Sequence, residues 1–407
     1  MILIYLLSLW WLLLTGWALL GIGSLDPVSD TVLVMVLLFV SSYLLAGTIA
    51  SKCNYSFSHI NGVSYSSLSK IAVIILGTLF IIQLPVWGAV VKLVAAGESL
   101  VDVRGRLYTV EPGEKWEKLL FNYSSALFYN YFLACALVFL HIYKAYRFLL
   151  LFCFFLVIAA LLKGARGELY QLVGVGVLYG ITVHGREGVV RAHKHKIKIL
   201  CLTVGLIALL SLVSWLRGAS VLKAGLDYHT VGFTLLSKYV EGRIGLIDLS
   251  NSFGVSFMGG VDYIVGLFAR LLVWGELQSY TRAALELQNI STPTYTHETV
   301  VAPQTVYYSL TGHNAFYTLL LSAYQSFGVP GSILLGLLFG FVTPYLVNGA
   351  RAGNIIACFY LVVVISTVFM GVFASALETV GFWLYLVMLN MKFIIVQLLH
   401  RRRFDCG

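Results

Sequence analysis

The chain has 407 residues, of which 59% are hydrophobic and 11% charged, and its formal net charge is +9. Soluble globular domains carry about a quarter charged residues, so this composition excludes a soluble fold. The basic residues are dispersed among short segments between apolar runs, which excludes a nucleic-acid-binding patch and indicates membrane topology.

The apolar runs reach the roughly 20 residues needed to cross a hydrocarbon core. They lack the alternation of a membrane barrel, so we predict an all-α, polytopic transmembrane protein with about ten spans in one membrane domain, 1–407. The first run has neither a basic start nor a cleavage signal, and we expect it to be a retained helix. The predicted spans are 2–22, 31–50, 71–97, 126–142, 148–162, 169–184, 199–215, 332–349, 355–376 and 381–399.

The distribution of Lys and Arg predicts the orientation of these spans. The loops assigned to the cytoplasm carry thirteen of them, and the short loops on the other side carry six. Both termini are therefore predicted to be cytoplasmic. Seven spans lie in 1–215, a large periplasmic loop with interfacial helices in 216–331, and three spans with a basic tail in 332–407. If the short fifth span does not cross alone, Arg166 changes sides.

Residues 315–327 are apolar enough to form an eleventh span, but that span would place the three C-terminal arginines outside. At helical spacing, Thr318, Ser322 and Gln325 share one face, and Phe316, Leu320, Ala323 and Phe327 share another. This amphipathic pattern is typical of a helix lying in the membrane interface.

Several motifs are absent from the sequence. It has six cysteines without a Cys-x-x-Cys pair, no Asp-x-Asp, no Walker sequence and no Gly-x-Ser-x-Gly. We therefore expect no metal and no cofactor, and neither ATP-driven transport nor serine hydrolysis. Gly174-x-Gly176-x-x-x-Gly180 lies within a span and predicts close helix packing rather than a dinucleotide-binding loop.

Two residues are candidates for chemistry. Arg166 follows Lys163 at the mouth of the sixth span, where a guanidinium suits a phosphate or diphosphate; alternatively it is an anchor that reaches to the headgroups. His313 is predicted at the start of the interfacial helix, where first-turn amides favour a neutral imidazole that acts as a general base. Alternatively it is only a neighbour of the helix cap.

The predicted outer loop also carries arginines, but its acidic residues balance their charge. An anion must therefore be bound by individual arginines rather than by a positively charged patch. One or two of them can clamp a diphosphate, and the others pair with acids or lipid headgroups. The tyrosines of this loop, Tyr280 among them, suit either the membrane interface or stacking on sugars. The candidate arginines are Arg217, Arg243, Arg270 and Arg282.

The chain resembles the O-antigen polymerases and O-antigen ligases, which are glycosyltransferases of the bacterial inner membrane. The resemblance lies in Lys-Gly-Ala-Arg-Gly-Glu-Leu at 163–169, which opens a span and precedes a basic inner loop, a span and a long outer loop. It continues in His-Asn-Ala-Phe-Tyr at 313–317 and Phe-Gly-Val-Pro-Gly at 327–331. It covers about 163–349.

The resemblance implies a GT-C-like fold and a metal-independent transfer at the periplasmic face from a glycan linked to undecaprenyl diphosphate. The acceptor is another lipid-linked unit for a polymerase and lipid A core for a ligase, and the run at 313–317 favours the polymerase. Arg166 and His313 take the catalytic roles. Arg270 and Arg243, with Arg282 and Arg217 behind them, are candidates to bind the diphosphate. Candidates to contact the glycan are Asn314, Tyr317 and Tyr280.

The implied partners are the lipid-linked oligosaccharide and membrane lipid, with a chain-length regulator as a further candidate and no nucleic acid. A flippase for lipid-linked glycan is the rival of another class, and an envelope-assembly subunit is a third. Against a transporter stands the lack of internal repeats. In addition, the few ionisable residues near apolar runs, Lys92, Glu168 and Lys392, are predicted to lie close to span ends.

Overall fold

The computed structural model describes residues 1–21, 28–53, 65–98, 116–163, 167–194, 221–242, 318–372 and 380–404. These residues form helices, and the described ranges contain no strand. The helices are α1 (Ile2–Leu19), α2 (Asp30–Ser51), α3 (Tyr65–Ala95), α4 (Trp116–Tyr143), α5 (Tyr146–Lys163), α6 (Gly167–Lys194), α7 (Val221–Val240), α8 (Leu319–Phe327), α9 (Pro330–Arg351), α10 (Ile355–Met370) and α11 (Val380–Phe404).

Four of the described helices, α1, α2, α3 and α9, are long and apolar enough to cross a membrane. Shorter apolar helical segments occupy Leu127–Tyr143, Tyr146–Ile158, Leu169–Gly185, Ile355–Met370 and Phe382–Ile394. These apolar helices indicate a membrane protein. The predicted total of ten spans stays a prediction, and the seventh of them, 199–215, lies outside the described residues.

The helices group into two compact units that interleave along the chain. Unit 1 contains Met1–Tyr55, Leu222–Asn348 and Val364–Trp383, and unit 2 contains Ser56–Val221, Gly349–Val363 and Leu384–Gly407.

In unit 1, two adjacent tryptophans of α1 donate hydrogen bonds to backbone carbonyls at the C-terminal end of α10. The last four carbonyls of a helix have no partner within it. The indole of Trp11 donates to the carbonyl oxygen of Val368 at 3.0 Å, and that of Trp10 donates to Phe369 at 3.2 Å. Trp11 is completely buried and its ring contacts Phe39 of α2 at 4.9 Å between centroids. The aromatic pair thus joins α1 to α2 and to the C-terminal turn of α10.

Two glycines allow α9 to lie directly against α2 in unit 1. A Cβ at Gly336 would overlap Ser42 Oγ and the carbonyl oxygen of Phe39. One turn later, a Cβ at Gly340 would lie 2.7 Å from Ala46 Cβ. Small residues four apart let helix backbones approach closely, which is a common means of packing helices in membranes.

The Gly-Val-Pro-Gly sequence forms a tight connection between α8 and α9. Gly328 ends α8 with φ 63° and ψ −154°, a conformation open essentially to glycine alone. Pro330 begins α9, where its missing amide hydrogen costs nothing. A Cβ at Gly331 would overlap the carbonyl oxygen of Ala323, so α9 starts against the backbone of α8.

The placement of α8 differs from the predicted interfacial helix. The helix has nine residues, too few for an eleventh span. However, Thr318 and Ser322 on its polar face are completely buried, as are Leu320 and Ala323 on its apolar face. The prediction that the polar face meets water is therefore wrong, because the first turns of α8 are enclosed on both faces by unit 1.

Helix α7 lies within the segment predicted as a loop with interfacial helices. Every residue from Thr230 to Ser237 is buried, which covers two turns and therefore all faces of the helix. Its Phe233 ring contacts Trp11 at 6.0 Å, and the hydroxyl of Ser237 accepts a 3.0 Å bond from the amide of Ser29. This part of 216–331 belongs to the core of unit 1.

Unit 2 packs α3, α4 and α5 through aromatic rings. Phe80 of α3 contacts Phe128 of α4 and Phe155 of α5, with centroids 6.3 and 5.2 Å apart. Gly176 and Gly180 of α6 do not provide the predicted close packing. A Cβ at Gly176 would meet only Leu137 at an ordinary 3.7 Å, and one at Gly180 would meet nothing within 4 Å.

Candidate functional site

The predicted site residues lie outside the described residues, and their mutual geometry stays a prediction. They are Arg166, Arg217, Arg243, Arg270, Tyr280, Arg282, His313, Asn314 and Tyr317. In the sequence, Arg166 lies between α5 and α6, and His313, Asn314 and Tyr317 precede α8.

Arg166 immediately precedes the first residue of α6. Helix α5 ends at Lys163 and α6 begins at Gly167, so three residues connect the two helices. The first amides of a helix have no partner within it and favour an anion near the helix axis. A guanidinium directly ahead of that terminus adds a fork of donors that fits phosphate oxygens.

An amide pair holds the first turns of α6 against α4. Gln171 Nε2 donates to Asn130 Oδ1 at 2.8 Å, and both side chains are half-buried. Such a bond between apolar helices sets their relative depth and rotation, because amide groups seek partners in an apolar surrounding. Gln171 follows Arg166 by five positions in the sequence. The pair was not predicted from the sequence, because isolated Asn and Gln residues form no recognisable pattern.

His313 does not belong to the first turn of a described helix. Helix α8 begins at Leu319, and Thr318 is its N-cap residue. The amide of Leu319 donates to the carbonyl oxygen of Gly371 at 2.6 Å, which occupies one of the first-turn donors. The described helix therefore begins six residues after His313 and not at it. That the imidazole lies beside first-turn amides stays a prediction, because His313 lies outside the described residues.

No protein-family model, curated protein or solved structure matches this chain. The described residues therefore supply the physical evidence on the site.

The second polar feature of unit 2 is Lys392, which lies at the midpoint of α11 and is completely buried. Its Nζ lies 3.7 Å from the ring centroid of Phe359, 5.2 Å from that of Phe139 and 5.4 Å from that of Tyr131. The described apolar segment of this helix is Phe382–Ile394, and that Lys392 lies close to a span end stays a prediction. The burial of Lys392 could be predicted from the sequence, because apolar residues precede and follow it.

The surroundings of Lys392 are aromatic rather than acidic. It makes no ion pair with a described residue, and its hydrogen bond runs to Cys135 Sγ at 3.9 Å. The hydroxyl of Tyr385, one of two buried tyrosines near Cys135, has no hydrogen-bond partner among the described residues. Ring faces attract a cation by about 0.5–2 kcal/mol each. Burial of a charge costs several kcal/mol. A completely buried lysine among apolar helices indicates a function beyond packing.

We expect Lys392→Met to leave the fold intact and to raise the free energy of unfolding by about 1–4 kcal/mol, because methionine fills the space without a buried charge. Lys392→Ala instead leaves a cavity and should lower that free energy by about 2–5 kcal/mol. Thermal unfolding of both purified variants in the same detergent tests whether Lys392→Met is the more stable of the two. Equal losses for both would show that the ammonium itself stabilises the fold.

Proposed function

We propose that the protein is a glycosyltransferase that polymerises lipid-linked polysaccharide repeat units at the periplasmic face of the bacterial inner membrane. The observation that supports it best is the start of α6 directly after Arg166. In the sequence, an arginine therefore directly precedes a helix N-terminus, and guanidinium groups and helix N-termini both favour the diphosphate of a lipid-linked donor.

The proposed chemistry needs no metal. A hydroxyl of the acceptor attacks the anomeric carbon of the donor glycan, a new glycosidic bond forms, and the bond from that carbon to the diphosphate breaks. His313 takes the hydroxyl proton. Negative charge develops on the departing undecaprenyl diphosphate, which Arg166 and one outer-loop arginine, Arg270 or Arg243 first, stabilise.

The second supporting observation is the tight turn after α8. Gly328 has the positive φ that glycine permits, and Gly331 lies against Ala323. The Phe-Gly-Val-Pro-Gly sequence at 327–331, which is part of the resemblance to the polymerases, therefore forms this turn. This turn and α8 follow His313 in the sequence, and the first turns of α8 are buried in unit 1. A general base needs rigid support, and a buried helix close in the sequence can supply it.

Incubation of the purified protein with a lipid-diphosphate oligosaccharide tests the proposal. We expect a ladder of longer lipid-linked products on a gel, formed in the presence of a metal chelator. Transfer only to added lipid A core would instead assign the protein as the ligase. Absence of any transfer, with the protein folded and both acceptors supplied, would contradict a glycosyltransferase.

Lys392 favours one alternative, a transporter of the lipid-linked glycan. Buried ionisable groups in membrane helices mark substrate and proton pathways. Under this alternative, proteoliposomes should move a fluorescent lipid-linked oligosaccharide between leaflets, and Lys392→Met should stop the movement. Movement that is unchanged in Lys392→Met would remove the lysine from such a pathway.

A further inference from the structure

Basic side chains from three helices meet at one end of unit 2. His141 and Lys144 lie at the C-terminal end of α4, His184 lies beside a break in α6, and Arg351 is the last residue of α9. The rings of His141 and His184 are 5.1 Å apart between centroids. We name these four residues the basic cluster.

The break in α6 places the guanidinium of Arg351. Gly185 has φ 55° and ψ −138°, which interrupts the helix one residue after His184. In a regular helix the amide four residues later would bond the carbonyl of Thr182. Here Arg351 Nε donates to that carbonyl at 2.9 Å. Among the described residues, no hydrogen bond is made by the two terminal amino groups of this guanidinium.

Lys144 occupies a position that normally belongs to glycine. Its φ of 56° is the one positive value for a non-glycine residue in the described ranges. It ends α4 in the left-handed conformation, with its amide bonded to the carbonyl oxygen of Leu140 at 3.1 Å. Backbone strain of this kind persists where a side chain is needed. Its Nζ donates to the carbonyl oxygen of His141 at 3.0 Å, so the amine stays at the helix end.

The surroundings of the cluster match the level of lipid headgroups. The ring of Tyr143, next to Lys144, contacts Tyr65 at 4.9 Å, and Tyr146 is 62% exposed. Tyrosines are enriched at the boundary between lipid and water. No described carboxylate forms an ion pair with Lys144 or Arg351, so the positive charge there is uncompensated within the described residues.

We propose that the basic cluster binds the phosphate of an anionic phospholipid in the adjacent leaflet, which the charge distribution predicts to be the cytoplasmic one. The terminal amino groups of Arg351 bind two phosphate oxygens, and Lys144 contributes a point charge. Basic pockets between membrane helices bind anionic headgroups in this way. The site is independent of the proposed glycosyltransferase function.

The test uses the purified full-length chain and measures retained lipid by native mass spectrometry in mixtures of phosphatidylglycerol and phosphatidylcholine. We expect preferential retention of phosphatidylglycerol. Lys144→Gly and Arg351→Gln should each weaken it about fivefold, which corresponds to the roughly 1 kcal/mol that one basic side chain contributes near an anionic surface. Lys52→Gly is the matched control, because Lys52 also ends a helix and is exposed but has a right-handed φ of −86°.

Lys144→Gly separates binding from folding. Glycine relieves the strain at this position, so thermal unfolding in phosphatidylcholine should occur at the same or a higher temperature. Unchanged retention of phosphatidylglycerol in both Lys144→Gly and Arg351→Gln would overturn the proposal, as would an equal loss in Lys52→Gly. A further arm adds inorganic phosphate at constant ionic strength. If phosphate displaces the lipid and stabilises the protein equally well, the site takes the free anion instead.

Discussion

Replacement of Gly336 by leucine is expected to force α9 away from α2 and to destabilise unit 1 strongly. A Cβ at this position would overlap Ser42 Oγ and the carbonyl oxygen of Phe39, and it would lie 3.0 Å from the amide nitrogen of Tyr43. Two of these groups are backbone of α2 and cannot turn away. Overpacking typically costs about 1–3 kcal/mol, and a clash with rigid backbone lies at or above the upper end.

The same change would also separate Tyr43 from Thr343, whose hydroxyl groups lie 3.3 Å apart between α2 and α9. We expect Gly336→Leu to lose the single peak in size-exclusion chromatography, and Gly336→Ala to lower the unfolding temperature. Gly77→Leu is the matched control, because a Cβ at Gly77 of α3 would meet nothing within 4 Å. Normal chromatography of Gly336→Leu would contradict the close contact of α2 with α9.

Replacement of Arg166 by alanine is expected to reduce glycan polymerisation by at least about a hundredfold while the protein stays folded in the membrane. Removal of one preorganised donor from developing negative charge typically has an effect of this size. Arg166→Lys should recover little, because an ammonium keeps the charge but loses the fork that fits two phosphate oxygens. His313→Ala should also abolish long chains, since the hydroxyl proton then has no base.

Gel analysis of lipid-linked products measures these activities, and quantitative membrane fractionation confirms that the variants are present. Lys163→Ala is the matched control, because this residue carries the same charge and lies three positions earlier, at the end of α5. It should retain chain lengths close to those of the unchanged protein. Full-length chains from both Arg166→Ala and His313→Ala would remove these residues from the mechanism.

The sequence predicts most of the helices because their apolar runs are long. The bounds of α1, α2 and α9 agree with the predicted spans to within a few residues. It does not predict α7, since Lys223, Asp227 and Lys238 interrupt the apolar pattern that indicates a span. Three charged residues among twenty are typical of a surface helix, whereas Phe233 and its neighbours in α7 are buried.

Packing is harder to predict than helix formation. The motif Gly174-x-Gly176-x-x-x-Gly180 suggested close approach, yet Gly176 and Gly180 have room for a side chain, whereas Gly336 and Gly340 have none. A glycine spacing does not state which helix, if any, lies opposite. The site has the same limitation, because Arg166 and His313 were selected by sequence context and resemblance, and the contacts of their side chains depend on the fold of distant segments.

The indole bonds of unit 1 have a consequence for biosynthesis. Trp10 and Trp11 leave the ribosome well before their acceptors Phe369 and Val368, which follow 359 and 357 positions later. Helix α1 must therefore wait in the bilayer until α10 has been synthesised, and unit 1 cannot close before then. Nascent chains arrested before α10 should consequently be open to membrane quality-control proteases, however well their earlier helices are inserted.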